Sequence, residues 1–89
     1  MARIKQLVLD VLKPHDPPVT AFAQLLANQA PELKVTVEVI EIDDKTESLN
    51  VSLEGNDIDL PAINALIASM GASLHSIDKV CAVNDANDD

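Results

Sequence analysis

The chain has 89 residues, 47% of them apolar and only Phe22 aromatic, and its six basic and fifteen acidic residues leave a formal net charge of −9. This length fits one compact domain, while the acidic balance disfavours nucleic acid or an anionic membrane as a partner, and the shortage of rings disfavours stacking on unpaired bases. Cations or a basic protein surface are the natural electrostatic partners, although the same charge also keeps a small protein soluble.

A strand and a helix are predicted in the first third of the chain. Apolar residues occupy both alternating faces of residues 3–13, which indicates a strand covered on both sides, and Pro14 ends it. Pro18 suits the first position of a helix, whose apolar residues recur at helical spacing until Pro31 stops it.

A hairpin is predicted next. Apolar residues alternate with polar ones over residues 33–39 and again over residues 49–53, and the segment between them, residues 41–47, is short and polar. This pattern is typical of two antiparallel strands joined by a short connection.

A second helix and a last strand complete the pattern. Asp57 or Asp59 can cap the helix by accepting hydrogen bonds from its first backbone N–H groups, and Gly71 is a natural C-terminal stop. The last strand covers residues 72–83, where two sets of alternating positions compete for the inward face.

The resulting order, βαββαβ, predicts an α+β ferredoxin-like sandwich with a four-stranded antiparallel sheet of order 4-1-3-2 and both helices on one face. We expect a single domain over residues 1–85 and a disordered acidic tail over residues 86–89. Alternation directs five apolar side chains to the face without helices: Ile4, Val8, Leu12, Ile40 and Ile42. Another copy of the chain is expected to cover this face, since monomers rarely expose large apolar patches; scattered aliphatic residues on a monomer are the alternative.

The fold is also expected to gather acids and histidines at the end of the sheet where the first strand finishes. The residues expected there are Asp10, His15, Asp16, Glu41, Asp43, Asp44, Glu47 and His75, with Asp78 nearby. Carboxylate oxygens suit calcium or magnesium, whereas added imidazoles favour zinc or another transition ion. A bound cation would relieve the repulsion among the acids. The alternative is that these are solvated acids and turn-forming aspartates.

The chain shows no arrangement typical of catalysis. His75 and Cys81 lie about 20 Å apart on one strand, at roughly 3.3 Å per residue, so they cannot form a nucleophilic pair within one chain. His15 has no serine or cysteine near it in sequence to activate, and the isolated glycines Gly55 and Gly71 form no phosphate-binding loop. We therefore expect a protein without enzymatic activity.

The cellular compartment follows from two further features. The single cysteine cannot form a disulfide within the chain, which is typical of a reducing compartment. The first residues lack an uninterrupted apolar stretch of signal-peptide length, and no window approaches the roughly 18 apolar residues that a membrane helix needs. We predict a soluble cytoplasmic protein.

Four segments occur in a characteristic order: LVLDVLKPHDP near the start, EIDDKTESLNVSLEG across the hairpin, GNDIDLPAI at the second helix and LHSIDKV in the last strand. Their order and spacing, over roughly residues 3–80, resemble the domain-of-unknown-function family two-eleven, small proteins best known from archaea. The resemblance implies a ferredoxin-like fold assembled into ring-like oligomers, with calcium associated with some members, and it implies no reaction. The positions that it implies for the family motif are Asp10, Lys13, His15, Glu41, Asp43, Glu47, His75 and Asp78.

Two functions from different classes are therefore predicted. The first is a non-enzymatic homo-oligomer that binds a divalent cation, with calcium favoured and no other cofactor, through Asp10, His15, Glu41, Asp43, Glu47, His75 and Asp78. The second is a regulatory module that binds a small metabolite or a partner protein at a subunit interface, by analogy with amino-acid-sensing domains of the same fold.

Overall fold

The computed structural model describes residues 1–84, which form four strands and two helices in the predicted order. The strands are β1 (Ala2–Pro14), β2 (Lys34–Ile42), β3 (Thr46–Glu54) and β4 (Ser73–Asn84), and the helices are α1 (Val19–Ala27) and α2 (Leu60–Ser69). Neighbouring strands are antiparallel, and the sheet order β2-β3-β1-β4 is the predicted order read from the opposite edge. The ferredoxin-like α+β fold is confirmed. The predicted domain end at residue 85 and the predicted tail, residues 86–89, lie outside the described residues.

The hydrophobic core lies between the sheet and the two helices. Every second residue in the middle of β1 and β3 is buried, and each helix adds two buried residues. These core side chains are Leu7, Leu9, Val11, Phe22, Leu26, Leu49, Val51, Leu53, Ile63 and Ile67. Burying an aliphatic or aromatic side chain of this size stabilises a fold by roughly 1.5–3 kcal/mol, so the alternating pattern fixes which face of the sheet meets the helices.

The start and end of α2 follow the sequence signals. The Oδ1 atom of Asp59 accepts a hydrogen bond from the backbone N–H of Ala62 at 3.1 Å, so Asp59 is the cap. Asp57 instead accepts from the backbone N–H of Ile4 at 3.4 Å. Gly71 has a φ of 78°, a conformation that glycine adopts without a steric penalty, and it ends the helix as predicted.

Helix α1 is shorter than the sequence predicts, because it ends at Ala27 rather than just before Pro31. The N–H of Gln29 bonds to the carbonyl of Leu26, three residues back, at 3.1 Å, so the chain leaves the helix through a tighter turn. Apolar spacing alone does not distinguish such a turn from continued helix. Neither helix within residues 1–84 is long and apolar enough to cross a membrane.

Strand β4 pairs with β1 irregularly, which explains why its inward face was ambiguous in the sequence. Leu9 pairs with Ile77 and Val8 with Lys79, so the pairing skips Asp78. Asp10 pairs with Ser76 and Val11 with Leu74, so the pairing also skips His75. Each extra residue interrupts the alternation of side chains between the two faces, so no single parity describes the strand.

The sheet face away from the helices, called the open face from here on, is mainly polar. Asp10 lies on this face because it stands between the buried Leu9 and Val11 of β1. The open face of β3 carries the intervening residues Ser48, Asn50 and Ser52. Side chains on this face are therefore mostly hydroxyls, amides and carboxylates rather than aliphatic groups.

The expectation of an apolar open face is wrong for Ile4 and Ile42, because it assumed unbroken alternation along β1 and β2, whereas Val8 and Leu12 lie on this face opposite Ser52 and Ser48 as predicted. The β1–β4 pairing skips Lys5, and Ile4 packs against the core. The β2–β3 pairing skips Ile40, so Ile42 shares the helix side of the sheet. Exposed aliphatic side chains are most frequent on the two edge strands, with Val39, Ile40 and Ile42 on β2 and Ile77, Val80 and Val83 on β4, while Leu12 is exposed on β1.

Candidate functional site

The end of the sheet where β1 and β2 finish, called the upper end, is organised by a buried lysine. Lys13 continues the core-facing positions of β1 and is 0% exposed. Its Nζ lies 2.9 Å from Oε1 of Glu47, its partner in the β1–β3 register, and it donates to the carbonyls of Pro14 and Pro17 at 2.8 and 2.6 Å. A buried ammonium is tolerated when its charge is paired and its protons are bonded, and here both conditions hold.

His15 completes this arrangement from the loop after β1. Its Nδ1 lies 3.0 Å from Oε2 of Glu47, and its Nε2 lies 3.0 Å from the backbone carbonyl of Asp44. Both partners are acceptors, so the imidazole satisfies both contacts only when both ring nitrogens carry protons. Lys13, His15 and Glu47 are called the clasp, because they join the β1–α1 loop to the β2–β3 hairpin.

The clasp shifts the protonation of two of its members. The hydrogen bond to Glu47 is the largest cause that raises the pKa of His15, and the bond to the Asp44 carbonyl adds to it. Glu47 responds oppositely, since its pKa is lowered first by His15 and then by Lys13. The charged forms therefore stabilise each other, and a metal ion would have to displace a buried counterion to use Glu47.

The hairpin tip places two more of the predicted ligands. The N–H of Asp43 bonds to the carbonyl of Thr46 at 2.9 Å, and the Thr46 hydroxyl donates to Oδ1 of Asp43 at 3.4 Å, so Asp43 closes the turn. Glu41 pairs with Ser48 and is exposed at the upper margin of the open face.

A row of oxygen-bearing side chains crosses the open face below the clasp. Asp10 pairs with Ser76 on one side and with Asn50 on the other, and Asn50 pairs in turn with Glu38. These four residues, one from each strand, are called the oxygen row. The Oδ1 atom of Asn50 is buried without a hydrogen-bond partner, and the carboxylates stand on the strands at either side of it. Adjacent strands lie about 4.8 Å apart, so both carboxylates are within side-chain reach of the amide.

The remaining predicted ligands lie on β4. Asp78 accepts a hydrogen bond from the hydroxyl of Ser76 at 2.8 Å, which attaches it to the margin of the oxygen row. His75 is the exposed residue that the pairing skips beside Asp10 and Val11. It lies on the side of β1 away from β3, so the structure brings His15 and Glu47 together but does not bring the two histidines to one point.

The seven predicted ligands thus separate into three groups: His15, Asp43 and Glu47 at the hairpin, Asp10 and Glu41 on the open face, and His75 and Asp78 on β4. Within residues 1–84, no group of three or more histidine, cysteine, aspartate or glutamate side chains is close enough to hold a metal ion. Asn50 and Glu38 were missed from the sequence, where they are ordinary polar positions of alternating strands. Lys13 had a visible signal, because it shares the parity of Leu7, Leu9 and Val11.

Comparisons with known proteins agree with the family resemblance. The chain matches the model of the DUF211 family, described as an uncharacterized ArCR family, over residues 5–86. It is 43% identical over 82 residues to an uncharacterized protein of Methanocaldococcus jannaschii, and the alignment covers 92% of this chain and 84% of that relative. Both comparisons report sequence similarity, and neither description names a ligand or a reaction.

Proposed function

The chain belongs to the DUF211 family, and we propose that it is a non-enzymatic protein that assembles with copies of itself and binds a divalent cation, with calcium as the first candidate. The observation that carries the cation proposal is the buried, unpartnered Oδ1 of Asn50 between the strands that bear Asp10 and Glu38. A buried acceptor without a donor is uncommon, because it costs free energy. A hard cation would satisfy this amide oxygen and both carboxylates together.

The donor set favours calcium over other metals. The oxygen row offers carboxylate, amide and hydroxyl oxygens, and calcium accepts six to eight such ligands in flexible geometry. Zinc and other transition ions prefer imidazole or thiolate ligands. Because no third acidic, histidine or cysteine side chain meets these two carboxylates within residues 1–84, water or a second copy of the chain would have to fill the remaining coordination positions.

Self-assembly is supported by the edges of the sheet rather than by its open face. Both β2 and β4 are edge strands, and each carries three exposed aliphatic side chains. Unpaired edges with aliphatic residues attract further strands unless something covers them. We propose that copies of the chain cover each other's edges in a ring-like assembly.

Calorimetric titration of chelator-treated protein with calcium chloride tests the cation proposal. We expect binding below about 1 mM, within the range of known calcium sites, and substantially weaker binding by Asp10→Asn and Glu38→Gln. Asp44→Asn removes one charge at the exposed hairpin and should bind calcium as the unaltered protein does. Absence of heat at about 1 mM calcium, or equal weakening by all three variants, would contradict the oxygen row as the site.

Native mass spectrometry with and without chelator tests the assembly and the ion together. We expect a discrete oligomer in both conditions, with integral calcium occupancy only before chelation. Paired substitutions at one edge, Ile40→Lys with Ile42→Lys, should reduce the subunit number. A monomer at all concentrations would reject self-assembly and leave cation binding to be judged by calorimetry.

A further inference from the structure

The two edges of the sheet are complementary in direction. β2 and β4 run in opposite directions, because three antiparallel pairings separate them. The β4 edge of one copy can therefore form an antiparallel ladder with the β2 edge of an identically oriented copy. Each edge offers its outward backbone N–H and C=O groups to such a ladder, and an uncovered edge strand tends to pair with another strand.

The helix side of both edges is aliphatic. Val39 pairs with a buried residue of β3, and Ile77 and Val80 pair with buried residues of β1, so all three side chains point to the side of the sheet that carries the helices. Each of the three is exposed, because its strand has no neighbour on the outer side. Packing them against aliphatic side chains of another copy would remove apolar surface from water, which is favourable. The aliphatic side chains on this side include Val37, Val39 and Ile42 on β2, and Leu74, Ile77 and Val80 on β4.

The open face of the two edges carries opposite charges. Glu38 of β2 lies on this face because it pairs with Asn50, and Lys79 of β4 lies on it because it pairs with Val8. Within residues 1–84, neither Glu38 nor Lys79 has an ion-pair partner. An acid on one edge and a lysine on the other can neutralise each other between copies, provided that the strands are aligned to bring them together.

The alignment of the two strands follows from both patterns together. A shift by one residue would bring aliphatic side chains of one copy against polar side chains of the next, so only shifts by two residues match the faces. Lys79 then faces one of the open-face residues of β2 in the next copy: Lys34, Thr36, Glu38 or Glu41. The first would repel it, the second would leave it unpaired, and the last would leave Leu74 beyond the end of β2. Glu38 therefore combines opposite charge with the largest set of aliphatic contacts.

We propose that β4 of one copy pairs with β2 of the next in the register that places Lys79 opposite Glu38. The aliphatic pairs in this register are Leu74 with Ile42, Ile77 with Val39 and Val80 with Val37. A carboxylate has two oxygens, so Glu38 can accept from this lysine through one and contribute the other to the oxygen row. This interface rests on the self-assembly proposed above, for which it specifies the two surfaces and their alignment.

Disulfide trapping in a Cys81→Ser background tests the register. Ile77→Cys combined with Val39→Cys places cysteines at opposite positions of the two edges, within the roughly 4.4–6.8 Å between Cα atoms that a disulfide spans. Within one chain these positions are separated by three strand spacings of about 4.8 Å, which is too far. We expect mild oxidation to give a ladder of linked subunits on a non-reducing gel. Ile77→Cys with Val37→Cys, two residues out of register, should give little product, and each single variant none.

Charge reversal in the presence of chelator tests the ion pair separately from calcium. Lys79→Glu and Glu38→Lys should each lower the subunit number in native mass spectra, whereas Lys45→Glu, at the hairpin, should not. A 1:1 mixture of the first two variants should recover the assembly, because each junction in an alternating assembly then joins a lysine to a glutamate.

The outcomes distinguish this interface from self-assembly in general. A ladder from the Val39 pair together with recovery in the mixture supports the proposal. An oligomeric protein that gives no such ladder, links through the Val37 pair instead, or shows no recovery would overturn this interface alone. A monomeric unaltered protein would overturn both the interface and the self-assembly on which it rests.

Discussion

The clasp and the oxygen row contain similar residue types on neighbouring parts of the sheet, but the charges of the clasp are paired and those of the oxygen row are not. In the clasp, the Glu47 carboxylate faces Lys13 and His15, and the ammonium and imidazole find acceptors for their protons. In the oxygen row, Asp10 and Glu38 have no ion-pair partner within the described residues, and the amide oxygen beside them has no donor. Acidic residues of one sheet thus divide into those that stabilise the fold by ion pairs and those without an ion-pair partner within residues 1–84.

Removal of the buried Lys13 ammonium is expected to have the largest effect on stability. Lys13→Met leaves Glu47 without its counterion and the carbonyls of Pro14 and Pro17 without their donor, so we expect the free energy of unfolding to fall by about 3–5 kcal/mol. Urea denaturation monitored by circular dichroism measures the change. Lys45→Met, at an exposed position, should change stability by less than about 0.5 kcal/mol. A similar effect of both variants would show that the clasp is not structural.

A double variant sharpens the same contrast. Because Lys13→Met alone would leave Glu47 with only the partly exposed His15 as its counterion, Lys13→Met combined with Glu47→Leu should be less destabilising than the sum of the two single changes. A double-mutant cycle in urea measures this coupling. Strict additivity would mean that the two side chains act separately.

A substitution in the oxygen row should raise the free energy of unfolding rather than lower it. Asn50→Leu removes a buried acceptor that has no partner, so stability in the presence of chelator should rise by about 1 kcal/mol. The same variant should lose the stabilisation that calcium gives the unaltered protein. Ser52→Val, on the same strand and face, is the matched control and should retain the calcium effect. Thermal denaturation with chelator and with calcium provides both readouts.

A smaller effect is expected at Glu32. The left-handed backbone at Glu32 disfavours any side chain, so Glu32→Gly removes a steric cost from the folded state. Glycine also gives the unfolded chain more freedom, which offsets part of this gain. The free energy of unfolding should therefore stay unchanged or rise by up to about 1 kcal/mol. Glu54→Gly, in the extended β3, should instead lower it by about 1 kcal/mol. Urea midpoints of the two variants give the comparison. A clear loss of stability in Glu32→Gly would show that its side chain contributes more than its backbone costs.

The smallest expected effect is the pH dependence of the clasp, whose imidazole is partly exposed. The raised pKa of His15 contributes stability that is fully present below 6.5, its ordinary value, and is lost as the pH rises through the folded pKa. The lowered pKa of Glu47 contributes stability that is present above 4.5 and is lost as the pH falls. Melting temperatures should therefore decline above about pH 6.5, and His15→Gln should flatten that decline. An identical profile in both proteins would exclude this role for His15.

The fold could be predicted from the sequence because the signals for its strands and helix ends are local. Alternation over β1 and β3, the cap at Asp59 and the left-handed glycine at Gly71 each act through neighbouring residues. The extra residues at Ile40, His75 and Asp78 could not be predicted, because the pairing with neighbouring strands decides where a strand accommodates an additional residue. The error over Ile4 and Ile42 on the open face follows from the extra residues at Lys5 and Ile40.

The candidate site was predictable only in part for a related reason. Topology alone brings the β1–α1 loop to the hairpin, so the proximity of His15 and Glu47 could be anticipated. The sequence does not show that Glu47 already serves a buried lysine, because that depends on the register between β1 and β3. The oxygen row is equally non-local, since Asp10, Asn50 and Glu38 become neighbours only when three strands are aligned.

The directions of the two outer strands have one further consequence. β2 and β4 run in opposite directions, so identical molecules in a common orientation can continue one antiparallel sheet from each molecule into the next. Such head-to-tail growth has no built-in end, and it stops only if the rotation between successive molecules brings the last back to the first. The angle at this junction would then decide between a closed particle and an endless fibre, and a single substitution there could convert one into the other.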